Sequence, residues 1–241
     1  MISEAPRRFY RDVTVQRGDD GWQIALDGKL LRSPAKAPLV LPSEALAQAI
    51  QAEWDGQAER IQPRSMPMMQ LVSTSVDRVI PNRAQIVTDI TAYAASDLIC
   101  YRAEAPEELV RRQEEHWQAL TDWASHRFDV SLRTTTGIMA VEQSAQSLAI
   151  FARIVDQLDP WRLTALANVT TTAGSLVIAL ALLEGRLTPE TAVSAAQLDE
   201  LYQAERWGED AEAGARRQGQ AREIADAARF VTLLDNSARH E

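Results

Sequence analysis

The chain has 241 residues, enough for one large domain or two small ones, and about 70–75% of the unfolded surface can be buried at that length without covalent staples. Its net charge of −9 argues against a nucleic-acid partner, because phosphate binding needs clustered positive charge and no basic run, Pro6-Arg7-Arg8 included, is longer than two arginines. The single cysteine, Cys100, leaves no internal disulfide and no multi-cysteine zinc site, and no stretch approaches the roughly 18–20 apolar residues of a membrane span.

Hydrophobic residues make up 46% of the chain, supplied mostly by alanine and leucine, which favours helix packing over a β-sandwich. The first forty residues nevertheless read as strands. Phe9, Val13 and Val15 alternate onto one face, Gly18 to Gly21 turns the chain, and Trp22, Ile24 and Leu26 alternate again before the hairpin signal Asp27-Gly28. Ser33 to Pro38 is irregular, and Leu39-Val40-Leu41 is a candidate short strand.

Helical periodicity starts at Ser43, a good N-cap, and Leu46, Ile50 and Trp54 follow on one stripe that is expected to be buried. Met68 to Val79 is expected to be a short helix, and Pro81-Asn82 to cap the next, where Ile86, Ile90, Tyr93 and Asp97 share a stripe. A long helix from Pro106 carries Leu109, Trp117, Leu120 and Ala124. Asp129 to Met139 interrupts the helices, and another follows with Leu148, Phe151, Ile154, Val155 and Leu158. Asp159-Pro160 and Thr188-Pro189 are helix starts, while Gly185 and Gly208 are helix stops. Leu176 to Leu183, the most apolar segment, is expected to form one side of a globular helix. A last helix should turn Ile224, Ala228, Val231 and Leu234 inward. The expected fold is α+β: a small mixed α/β domain with β-hairpins over residues 1–80, then a mainly helical bundle over 81–241.

No catalytic centre is legible. His116 and His126 fall on polar helix surface and His240 near the end, without metal-binding spacing. Gly174-Ser175 lacks the second glycine of a nucleophile elbow, and Lys29 and Lys36, the only lysines, follow no phosphate loop. The expectation is therefore no catalytic residue, no metal and no cofactor. Two polar sets need explaining. Asp97 on an apolar stripe reads as a buried structural carboxylate, with Arg78, Arg83 or Arg102 as candidate partners. Leu198 to Glu212 gathers six acids with Tyr202 and Trp207. Either this is a solvated acidic face or it is an interface, for which aromatics are enriched. Asp199 and Glu200 read as mid-helix, and Glu205, Glu209 and Asp210 as lying near a helix carboxyl end, where the dipole disfavours them, although Glu209 to Glu212 also read as the first turn of the following helix.

Arg8-Phe9-Tyr10-Arg11-Asp12-Val13, Leu26 to Trp54, Asp97 to Glu104, Trp117 with Asp122-Trp123-Ala124, Gly174-Ser175-Leu176, Leu198-Asp199-Glu200 and Gln203 to Gly208 stand in an order that resembles one family. It is the ATP synthase assembly chaperone family dedicated to the alpha subunit of the catalytic head, and the likeness runs from about Arg8 to Leu234. The resemblance implies a chaperone that binds the unassembled alpha subunit and keeps it soluble until beta subunits join, without nucleotide hydrolysis. An orphan subunit of an obligate ring exposes apolar interface and aggregates unless that surface is covered. The family's acidic position, often Glu, falls on Asp199, and the tryptophan of its Glu-Trp-Asp stretch on Trp54. The expected partner-binding residues are Asp199, Glu200, Tyr202, Gln203, Trp207 and Glu209, with Trp54 and Asp97 structural. Met1 to Pro6 carries neither a secretory apolar core nor an Arg-rich organelle lead, so a cytoplasmic protein, monomeric when free, is expected. The alternative is a small-molecule-binding protein, or an acid/base enzyme with Asp97 and Asp199 in an interdomain cleft.

Overall fold

A computed structural model describes residues 6–137 and 140–235. The chain forms two units, one running to Asn82 and resuming at Arg229, the other spanning Arg83–Ala228. The chain is α+β, with a small N-terminal sheet followed by helices.

In the first unit, β1 (Val13–Arg17), β2 (Trp22–Leu26) and β3 (Lys29–Leu30) form an antiparallel meander in that order, with Val15 opposite Ile24 and Ala25 opposite Leu30. Asp27 and Gly28 both take positive φ, +47° and +77°, as the tight β2–β3 turn requires. Asp27 also accepts the amides of Arg11 and Asp12, which hold its carboxyl below the usual range. Leu41 exchanges backbone hydrogen bonds with Trp22, so the Leu39 to Leu41 segment pairs through one bridge rather than a full strand. Phe9 departs from the expected inward face: it is 72% exposed, and its neighbour Tyr10 is buried in its place. The phase changes because Phe9 and Tyr10 precede β1 and are held by Arg8, whose guanidinium donates to the carbonyls of Asp55 and Gln57.

Helix α1 (Glu44–Asp55) starts where expected: Ser43 Oγ accepts the Leu46 amide and donates to the Leu233 carbonyl. Leu46, Ile50 and Trp54 are buried on one stripe. Helix α2 (Pro67–Thr74) runs on through a wide turn over Ser75–Val79. Its start is fixed from α1, because Glu53 accepts the amides of Met68 and Met69. That carboxylate occupies the positive end of α2 in place of a local cap.

The second unit opens with α3 (Arg83–Ala92). Then α4 (Glu107–Gln113) passes through a wide turn, Glu114–Gln118, into α5 (Ala119–Phe128), the long helix expected from Pro106. Leu109, Trp117, Leu120 and Ala124 are buried along it. The interruption that follows carries β5 (Thr135–Thr136), parallel to β4 (Tyr101–Arg102); its end, Ile138 and Met139, lies outside the described residues. Helix α6 (Ala145–Asp156) is followed by α7 (Pro160–Ala173), capped by Asp159, whose carboxylate accepts the Trp161 and Arg162 amides. Gly174, at φ +67°, ends α7 and lets α8 (Leu176–Leu183) follow at once. This helix differs from the sequence expectation. Leu176 to Leu182 are all buried, so α8 is a core helix covered on every side, and no polar face marks its period. Thr188 caps α9 (Pro189–Ala196), and Trp117 donates its indole hydrogen to the Ala195 carbonyl at 2.8 Å. Helix α10 (Leu198–Trp207) ends at Gly208, and α11 (Ala211–Asp235) continues into the first unit, burying Ile224, Ala227, Phe230, Val231 and Leu234.

Candidate functional site

Asp97 is fully buried, as expected of a structural carboxylate, but its partners are not arginines. Helix α3 stops at Ala92, so Asp97 lies beyond the helical stripe in extended conformation. It caps the short turn Leu98–Cys100 through the Ile99 amide and reaches across to the start of α8, accepting the Val177 amide at 3.1 Å. The Ser175 hydroxyl also bonds it. Burial pushes its carboxyl up to about 6, against the pull of those hydrogen bonds. The three candidate arginines are placed elsewhere. Arg78 is exposed, Arg83 donates to the Asp156 and Leu158 carbonyls, and Arg102 donates to the Ile99 and Gln113 carbonyls. Burial lowers the Cys100 thiol's acidity, pushing it up to about 12, so the thiol is inert.

The acidic segment is built on α10, whose geometry corrects the sequence reading. Asp199 and Glu200 lie in the first turn, not mid-helix, and there the helix dipole favours them. Asp199 is half-buried, and its carboxylate accepts a 2.8 Å hydrogen bond from the Gln113 side-chain amide. Gln113 is itself buried and fixed, because its carbonyl oxygen accepts the Ala103 amide. Glu205, which the dipole should disfavour, is offset by Arg112 at 2.8 Å. Arg112 also binds Glu108 at 2.8 Å, and Glu108 in turn binds Arg206. Hydrogen bonds from Arg112, then Arg206, hold the Glu108 carboxyl below its ordinary range.

Tyr202 lies beneath this network, 3% exposed, with the guanidinium groups of Arg112 and Arg206 each 5.4 Å from its ring. It therefore supports the face rather than adding surface to it. Glu209 binds Arg217, and Asp210 caps α11 through the Glu212 and Ala213 amides. Glu205 and Glu209 are exposed too, but tied into these ion pairs; beside them the face opens to solvent at Glu200, Gln203 and, above all, Trp207, which is 76% exposed at the end of α10. Gln113, Arg112 and Glu108 were missed from sequence. The i,i+4 spacing of Glu108 and Arg112 was the one available signal, and it pointed only to a local helix pair.

Asp97 and Asp199 share no hydrogen-bonding partner, and Asp97 is sealed from solvent, so the two form no acid/base pair. Among the described residues no group of three or more His, Cys, Asp or Glu could hold a metal ion, and no helix is long and apolar enough to cross a membrane.

A family model described as ATP12 chaperone protein matches residues 7–125. The mitochondrial protein atp12 of Schizosaccharomyces pombe is 26% identical over 214 residues, covering 84% of this chain and 74% of the yeast protein. The crystal structure of Atp12 from Paracoccus denitrificans superposes with a TM-score of 0.91 at 40% identity, over 95% of this chain and 98% of that one. A putative chaperone from Agrobacterium tumefaciens gives 0.89 at 42% identity, over 95% and 86%. With that identity over nearly the whole Paracoccus protein, the chain belongs to the ATP12 family of ATP synthase assembly chaperones, which are not enzymes.

Proposed function

We propose that this chain binds the unassembled alpha subunit of the F-type ATP synthase catalytic head and keeps it soluble until beta subunits join, without hydrolysing nucleotide. The observation that carries the reading is the α10 face. Trp207 stands 76% exposed beside Glu200 and Gln203, on a helix pinned by the Glu108, Arg112, Glu205 and Arg206 network. An exposed aromatic rimmed by charge, carried on a pinned helix, suits a protein-binding surface, where aromatics are enriched. Asp199 contributes a carboxylate whose position is set from behind by Gln113, so it meets a partner preorganised. The protein acts in the cytoplasm and is a monomer when free.

The test is co-expression with the alpha subunit, followed by size-exclusion chromatography without added nucleotide. Co-elution, together with reduced aggregation of alpha, is the expected result. Alpha that aggregates equally with and without the chain would overturn the proposal.

A further inference from the structure

The first unit holds two neighbouring clefts of about 460 and 400 Å³, each within the roughly 300–1,000 Å³ of ligand-binding clefts. They share Trp54 and Arg32 as a common wall. The larger is lined mainly by apolar groups, among them Ile61, Pro63, Met66 and Met69. The smaller carries Phe9 and Leu30, which are 72% and 49% exposed. Phe9 does not hang free: its ring meets Tyr10 edge-on at 5.4 Å, and Tyr10 meets Trp54 the same way at 5.4 Å. The Tyr10 hydroxyl also donates to the Trp54 carbonyl at 2.7 Å. An apolar side chain fixed in solvent by a ladder of buried rings is an anchor already ordered for a partner.

Two polar features say what the groove takes. Trp54 is 8% exposed, yet its indole Nε1–H has no hydrogen-bond acceptor, an arrangement that costs free energy unless a partner supplies one. Met66 and Met69, which line the same cleft, have the rotational freedom to let a carbonyl oxygen reach it. The groove is also basic in a chain of net charge −9. Arg32 and Lys29 line it against one carboxylate, Asp27, which is held by backbone amides and faces Lys29, so Arg32 is the cation left over for a ligand.

We propose that this groove binds an extended segment of the unassembled alpha subunit, with large apolar side chains in the two clefts, a backbone carbonyl on Trp54 Nε1 and a carboxylate on Arg32. It is a second client contact, separate from the α10 face, and it rests on the assembly-chaperone reading for the identity of the client.

The experiment uses the full chain, wild type and two variants, Ser73→Phe, which sets a ring in the larger cleft, and Arg32→Glu. Circular dichroism confirms that both fold. One arm measures binding to a peptide library of fixed pattern, two large apolar residues one apart followed by Glu, with the Trp54 indole N–H signal followed by NMR. The other arm measures capture of purified alpha subunit. The expected result is peptide binding that shifts the Trp54 signal, with at least tenfold loss in both variants. Replacing the peptide Glu by Lys should weaken binding to wild type and restore it to Arg32→Glu. Capture of alpha should fall at least tenfold in the same variants. If wild type captures alpha and both variants capture it equally, the groove is overturned while the chaperone reading stands. If wild type captures no alpha, the chaperone reading fails, and the client named here with it; the library arm then decides the groove, and absence of peptide binding overturns that too.

Discussion

Asp97→Ala tests whether one buried carboxylate joins the Leu98–Cys100 turn to α8. Removing it orphans the Ile99 and Val177 amides and the Ser175 hydroxyl. Loss of an N-cap costs about 0.5–2 kcal/mol, and each buried donor left without an acceptor about 1–3 kcal/mol. Relief of the buried charge offsets part of this at neutral pH, giving a net loss of about 2–4 kcal/mol at pH 7. The pH dependence is the sharper check. The folded carboxyl titrates at about 6, above its ordinary 3.8, so the fold binds this proton more tightly than the unfolded chain does. The stability so gained is fully present below 3.8 and is lost as pH rises through 6. At pH 5, one unit below the folded value, it is worth about 1.4 kcal/mol, and at pH 7 almost nothing. The gap between wild type and Asp97→Ala should therefore widen by about that amount between pH 7 and pH 5. Carboxylates with the opposite shift, such as Asp27 and Glu108, are present in both proteins and cancel in the difference. Urea unfolding of both proteins at the two pH values measures it. A gap that stays constant would refute the titration argument, and equal stability at both pH values would refute the capping role as well.

Trp54→Ala should destabilise by about 3–5 kcal/mol, because it deletes a buried ring and the Tyr10 edge contact, and thermal unfolding would show it. Ser43→Ala should cost about 1–2 kcal/mol in urea unfolding, since the hydroxyl both caps α1 and donates to Leu233. Asp199→Lys should stay folded with a loss of about 1–2 kcal/mol, from the Gln113 hydrogen bond and from a cation in the first turn of α10. It should also fail to retain alpha subunit in a pull-down that Glu212→Lys passes. Equal retention by Asp199→Lys and wild type would remove Asp199 from the proposed contact.

Features set by neighbours in sequence were legible. Ser43, Asp159 and Thr188 cap their helices because capping uses an oxygen two or three residues from the amide it satisfies. Asp27-Gly28 turns because both positions need positive φ. The long helix from Pro106 was readable from Leu109, Trp117, Leu120 and Ala124, although a wide turn at Glu114–Gln118 resets its phase. Features set by tertiary contact were not. Phe9 obeys the alternation of β1 on paper, but Arg8 pins the preceding segment to the carbonyls at the end of α1, and the alternation breaks before the strand begins. The stripe of Ile224, Ala228, Val231 and Leu234 read for α11 left out Phe230 and Ala227, which are buried, and included Ala228, which is only half-buried.

The acidic segment shows the same division more sharply. From composition, six acids in fifteen residues presented one choice, solvated face or interface. Their structural roles are instead individual. Asp210 caps a helix, Glu205 and Glu209 answer arginines, and Asp199 receives an amide from a residue 86 positions away. Only the first of these is local enough to be read from spacing. Once the acids with structural duties are set aside, the candidate contact narrows to Glu200, Gln203 and Trp207, with Asp199 at its edge. That narrowing depends on Arg112 and Glu108, which link α4 to α10 through Glu205 and Arg206 and so could not be assigned to the site before the fold brought those helices together.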